Sequence, residues 1–220
     1  MKRMALLSLA STLLLAVMGG AVQAGVVFDN GAPDQSTGNE MTAWIQAEDF
    51  VLAQDTTLTD LHFWTLEGGT WDGTLDYYLF NDAGGTPAAA PFATGAGQNV
   101  QKTATGNTAV GLTEYAYWVD LQNPLALTGG VTYWIGLHLS ANFDRDEIYW
   151  ETTSGGFGIN GNESEGGTFD NWSNNGQEHA FYLTDDAVGV VPEPSTFALL
   201  GIGGLALVGY GIRRKRQQAV

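Results

Sequence analysis

Residues 25–187 predict an all-β fold, an antiparallel two-sheet sandwich of jelly-roll or Greek-key type, and three observations carry that prediction. Apolar side chains recur with period two, so that one face of each stretch is greasy and the other polar, as in half-buried strands. Clusters of Gly, Asn, Asp and Pro separate these stretches at hairpin-sized intervals. No segment between Gly25 and Asp186 shows a helical period, and about nine or ten strands without intervening helices close most simply as two packed layers.

The strands follow in order. Val26 to Phe28 opens the series, then Ile45 to Leu52 and Leu58 to Leu66, both β-branched or aromatic in character. Leu75, Tyr77 and Leu79 alternate, as do Tyr115, Tyr117, Val119 and Leu121; Val100 to Thr105 lies between them. In VTYWIGLHLS the residues Val131, Tyr133, Ile135, Leu137 and Leu139 share one face, with Thr132, Trp134, Gly136 and His138 on the other. Glu147 to Thr153 and Ala180 to Thr184 complete the set. A few long connections among hairpin-sized ones favour a jelly roll or Greek key over an up-and-down barrel, and the lack of a fixed period argues against a propeller or solenoid. Two stretches read as loops: Asp29 to Asn39, and Asn160 to Gln177, which has no apolar run able to form a strand. A loop of the second length in a small domain is usually functional or disordered.

Both ends of the chain read as addresses. Lys2 and Arg3 precede an apolar run from Ala5 to Met18, and small residues stand at Val22 and Ala24. That order is a signal peptide, residues 1–24, for cleavage by signal peptidase after Ala24. At the other end, residues 188–220 hold Pro192, Glu193 and Pro194, an apolar run, and the cations Arg213, Arg214, Lys215 and Arg216. The apolar run Phe197 to Ile212 rises roughly 24 Å as a helix, a little short of a bilayer core of about 30 Å, and its extension through Thr196 and Ser195 lets a helix over about 196–212 just span. Its basic end, 213–216, is held on the cytoplasmic side, which places the preceding domain outside.

This three-part tail resembles the PEP-CTERM sorting tail of Gram-negative bacteria, which is also labelled an ice-binding protein C-terminal domain. The resemblance covers about thirty residues and implies a route: transient anchoring in the inner membrane, cutting by an exosortase-type enzyme near Pro192-Glu193-Pro194, and release to the cell surface or extracellular matrix. The segment Ala47 to Trp64 also looks like the opening of many exported PEP-tailed β-sandwich proteins.

The exported part carries two basic residues, Lys102 and Arg145, against twenty-four acids, a net charge of −22. Such a surface repels phosphate backbones, so no nucleic-acid partner is expected. With no cysteine, disulfides and thiolate zinc sites are absent, and the fold must stand on its core or on a bound ion. No cofactor is expected beyond a structural calcium, for which Asp144, Asp146 and Glu147 on one turn, and Glu163, Glu165 and Asp170 in the long loop, are the oxygen donors. Neither set follows EF-hand spacing.

Seven tryptophans raise the question of rings that stack on sugars. Trp118 and Trp134 lie opposite their strands' apolar sets, and Trp172 stands within a polar loop, which makes these three the candidates for a glycan site. His62, His138 and His179 sit in or beside strands, framed by no hydrolase or metalloprotease motif. Three function classes follow: a non-enzymatic surface or matrix protein associated with exopolysaccharide, a carbohydrate-binding module with an aromatic site, and a glycoside hydrolase-like enzyme. An outward cluster of rings in a shallow groove separates the second from the first; a pocket of convergent acids would mark the third.

Overall fold

The computed structural model describes residues 25–156 and 158–185. The expected signal peptide and spanning helix lie outside the described residues. Within them the chain has thirteen strands and no helix. They are β1 (Val26–Asp29), β2 (Gly38–Glu40), β3 (Trp44–Val51), β4 (Thr56–Glu67), β5 (Asp76–Asn81), β6 (Ala93–Ala96), β7 (Gln98–Ala109), β8 (Leu112–Leu127), β9 (Thr132–His138), β10 (Ile148–Glu151), β11 (Asn162–Glu165), β12 (Ser173–Asn174) and β13 (Phe181–Thr184).

All pairings are antiparallel and form two sheets. The seven-stranded sheet is built around β4. On one edge β4 pairs with β8, which pairs in turn with β7. Its other edge is shared end to end: β13 takes Asp60–Phe63, β10 takes Thr65–Glu67, and β1 and β2 lie beyond them. The six-stranded sheet runs β12-β11-β3-β9-β5-β6.

The two sheets meet through one apolar core. Leu61, Phe63, Tyr117, Val119, Trp150 and Phe181 come from the seven-stranded sheet, and Phe50, Tyr77, Leu79, Tyr133, Ile135 and Leu137 from the six-stranded one. Period-two alternation puts each of these on an inner face, and aromatic pairs tie the strands of the seven-stranded sheet together, with Phe63 stacked on Tyr117 at 4.8 Å and Trp150 edge to face with Phe63 and Phe181, while Phe28 meets Phe50 of the other layer at 5.9 Å. At one margin Lys102 Nζ is paired with Glu67, whose carboxylate also accepts from the Tyr117 hydroxyl at 2.7 Å and from Thr65 Oγ1 at 2.8 Å. One of the two Lys and Arg side chains among the described residues is thereby committed at the margin of the sandwich.

Three sequence expectations are corrected. The stretch Asn160 to Gln177 is not strandless: β11 pairs with β3 and β12 with β11, because a strand added to an existing edge can live on ladder hydrogen bonds alone. Val131 precedes β9 and is 39% exposed, so the apolar face of that strand begins at Tyr133. Trp134 does point away from the main core, yet it is fully buried, because the outer face of the six-stranded sheet is itself covered.

Candidate functional site

The outer face of the seven-stranded sheet carries a shallow groove of about 190 Å³. Register builds it. Tyr182 of β13 lies opposite His62 of β4, His62 opposite Trp118 of β8, and Trp118 opposite Gln101 of β7, so four strands contribute one cross-sheet row. The next row places Trp64 opposite Ala116 and Ala116 opposite Thr103. All seven point outward because their sequence neighbours Leu61, Phe63, Tyr117 and Phe181 point into the core.

The first row is closely packed. The His62 and Tyr182 rings stack at 4.1 Å and 10°, and Trp118 leans on His62 at 4.6 Å. Trp118 remains 41% exposed, an unusual position for a large aromatic ring on a soluble face. Trp64 and Tyr182 are half-buried, while Gln101 and Thr103 are exposed. His62 itself is 5% exposed; its Nε2 is buried without a hydrogen-bond partner. Burial, partly opposed by Asp120, lowers its pKa to about 4, so the imidazole is neutral at ordinary pH. The groove thus offers apolar ring surface, an amide and a hydroxyl, over a buried neutral imidazole.

Of the three candidate glycan tryptophans, only Trp118 is here. Trp134 lies under the opposite sheet's cover, with Nε1 donating to Asp82 Oδ1 at 3.0 Å. Trp172 is not an exposed platform either: it packs edge to face on Phe80 at 5.2 Å, beside Phe169. The polar loop holds two large rings because it is the cover of that face. His62, Trp64 and Tyr182 join Trp118 through register, which is set by pairings between strands distant in the chain. The only local sign was the alternation in LHFW and FYL.

The proposed calcium donors are dispersed. Asp144 and Glu147 are exposed on a turn, where Glu147 holds a left-handed φ of 56°. The Asp146 amide donates to Thr42 Oγ1 at 2.8 Å, and Arg145 turns to the Tyr149 hydroxyl at 3.1 Å. Glu163 accepts from Gln46 Nε2 at 3.3 Å, and Glu165 and Asp170 face solvent. Among the described residues no three His, Asp or Glu side chains converge as a metal site.

Three further polar centres are buried. His138 Nε2 meets the Thr42 carbonyl at 2.7 Å with Phe143 stacked on the ring, and His179 contacts Glu48 inside the sandwich. Glu151 is fully buried beside Glu114 and the Gln35 amide, with no well-formed hydrogen bond to its carboxyl. Burial first, and the Glu114 carboxyl second, raise its pKa to about 8. A carboxyl whose folded value stands above its ordinary 4.5 binds its proton more tightly when folded. Its contribution to stability is therefore full below about 4.5 and is lost as pH rises through about 8. Melting temperature is expected to fall between pH 6 and pH 9, and Glu151→Gln, which keeps the neutral shape, should narrow that fall; an unchanged pH profile in the variant would refute the assignment.

The fold and groove define a class: an acidic, all-β, two-sheet domain that presents rings on one open face. Its address is more particular. Residues 190–216 match the family model of the PEP-CTERM protein-sorting motif, which carries Pro192, Glu193, Pro194 and the basic residues Arg213 to Arg216. The motif implies export, transient membrane association and processing by an exosortase-type enzyme. No curated protein and no solved structure matches the chain.

Proposed function

We propose that this is an exported, non-enzymatic protein of the cell surface or extracellular matrix, and that its sandwich holds polysaccharide in the outer-face groove. The sorting motif gives the address. One observation carries the binding role: Trp118, Trp64, His62 and Tyr182 are aligned by strand register into an outward groove edged by Gln101 and Thr103. Concave apolar surface with a few polar groups at its rim is the form of a small-molecule site, and sugar rings present a carbon–hydrogen face to aromatic rings and hydroxyls to the edges. A surface protein with such a face is tied to the matrix polymer around it.

The test uses the full-length chain, produced in its host and purified in mild detergent, and the exopolysaccharide washed from the same cells. Wild-type protein should co-sediment with that polymer and Trp118→Ala should lose most of the bound fraction. Equal sedimentation of the two proteins would refute the groove as the binding face.

A further inference from the structure

We infer that the groove takes an uncharged polysaccharide, laid with a flat face of one sugar ring on Trp64 and Trp118 above Ala116, and not a uronate or phosphate polymer. This rests on the glycan reading above and narrows it to a ligand class.

The register fixes the slot. Ala116 is the small residue of its row, between Trp64 and Thr103, and Trp118 follows two positions along β8 on the same face. Diagonal neighbours of this kind stand about 7–8 Å apart. Two indoles at that spacing over an alanine floor leave room for one pyranose ring, where a larger side chain at position 116 would close the gap. His62 supplies the second observation. Its Nε2 is buried, has no partner, and belongs to a residue that lines the groove. Leaving a buried polar atom unpaired is costly, and a sugar hydroxyl satisfies it in either tautomer once the Trp118 or Tyr182 ring stacked on His62 shifts to admit one.

Charge decides the class. The row before the slot holds Asp60 and Asp120, and the row after it holds Glu114 opposite Leu66. Asp120 is anchored by Asn99 Nδ2 at 2.7 Å, which leaves a carboxylate at the groove end able to accept from a hydroxyl. Adjacent rows on one face are about 7 Å apart along a strand, inside the screening length of about 8 Å in physiological salt. The two cations of the exported chain are committed elsewhere: Lys102 points inward to Glu67, under the Tyr115 ring, and Arg145 lies on the Tyr149 turn. A polyanion would approach the part-exposed Asp120 carboxylate at one end, with the buried carboxyls of Asp60 and Glu114 behind the two ends, and would find no counter-charge. A neutral glycan meets the same carboxylate as a hydrogen-bond acceptor.

Affinity electrophoresis of the full-length chain in mild detergent tests this at physiological salt. Neutral gels contain hydroxyethylcellulose, soluble starch or galactomannan; anionic gels contain alginate or polygalacturonate. At least one neutral polymer should retard the wild-type protein, and the anionic polymers should not. Trp118→Ala and Ala116→Phe should each weaken the neutral interaction by about thirtyfold. The second variant fills the slot while keeping every ring, so the test survives if the first variant misfolds. Retardation by the anionic polymers that both variants abolish would overturn the neutral class and leave the glycan groove standing. Retardation by a neutral polymer that neither variant changes would overturn the slot. If no polymer of either kind slows the protein, this inference and the glycan reading fall together.

Discussion

Trp150→Ala should cost about 3–5 kcal/mol of unfolding free energy, the range for removing a large aromatic ring from a packed interior. Trp150 is fully buried in β10, and three kinds of contact end on it. Its ring meets Phe63 and Phe181 edge to face, at centroid distances of 6.1 and 5.7 Å, which ties the middle strand of the seven-stranded sheet to β13. It stacks on His179 at 4.7 Å, and its Nε1 donates to the Ala180 carbonyl at 3.0 Å. Truncation would leave a cavity that two rigid sheets cannot close, an unpaired carbonyl, and an imidazole without its stacking partner. Against a total stability of about 5–15 kcal/mol, the loss should bring a marginal domain close to unfolding at 37 °C. Trp150→Phe keeps most of the volume and loses the hydrogen bond, so a cost of about 1–2 kcal/mol is expected. Guanidinium titrations read both as shifts of midpoint at constant slope. A Trp150→Ala midpoint within error of wild type would show that the core does not depend on this ring.

How much of this was legible in the sequence follows from which contacts are local. Alternation is a local property, and it suffices to place Tyr133, Ile135 and Leu137 on an inner face, with Trp118 outward. Whether an outward residue is also exposed is decided by another part of the chain. Trp134 and Trp118 occupy equivalent positions in the alternation of β9 and β8. One is buried because the 160–177 loop lays Phe169 and Trp172 against Phe80 and the cluster that holds Trp134, and the other is open because no such loop lies over it among the described residues. The same loop misled in a second way: Asn162 and Ser164 look like turn residues, yet both are buried in a strand whose ladder is supplied by β3. His62 and Tyr182 are 120 positions apart and meet only through register, which composition cannot reveal. The sorting tail, by contrast, is a linear signal read by other proteins, and linear order was enough to find it.

The Glu48–His179 contact carries the other large prediction, because it is a charge-capable pair placed where no charge is comfortable. Both side chains are completely buried; Glu48 Oε2 lies 2.7 Å from His179 Nδ1 and also accepts the His179 backbone N–H at 2.9 Å. His179 Nε2 faces Asn39 Oδ1 at 3.1 Å, a contact that needs the proton on Nε2. Burial, and behind it the Glu178 carboxylate, raise the pKa of Glu48 well above its ordinary value, while burial lowers that of His179 to about 3. Both shifts describe one arrangement: a neutral carboxylic acid donating to the free Nδ1 of a neutral imidazole. Glu48→Ala would leave Nδ1 and a backbone N–H buried and unpaired, at a cost of about 2–6 kcal/mol for the two neutral groups. Glu48→Gln is no full rescue, since the single atom at the Oε2 position must donate to Nδ1 and accept from the backbone N–H, and an amide atom does only one.

The pH dependence has a definite shape. A depressed His179 contributes stability that is full above its ordinary 6.5 and is lost as pH falls toward 3. A raised Glu48 contributes stability that is full below its ordinary 4.5 and is lost as pH climbs through its folded value. Between 4.5 and 6.5 the folded pair holds one proton and the unfolded pair also holds one, so this pair adds no slope there. His62 reinforces the acid limb and Glu151 the alkaline one, with folded values of about 4 and about 8. Stability should therefore be dome-shaped, highest in the mildly acid range, with Glu48→Ala most damaging there and the His179 ring neutral by nitrogen NMR down to pH 4. An imidazolium signal from His179 at pH 5.5 would reverse the proton assignment, and with it the expectation that Glu48→Gln fails to restore the pair.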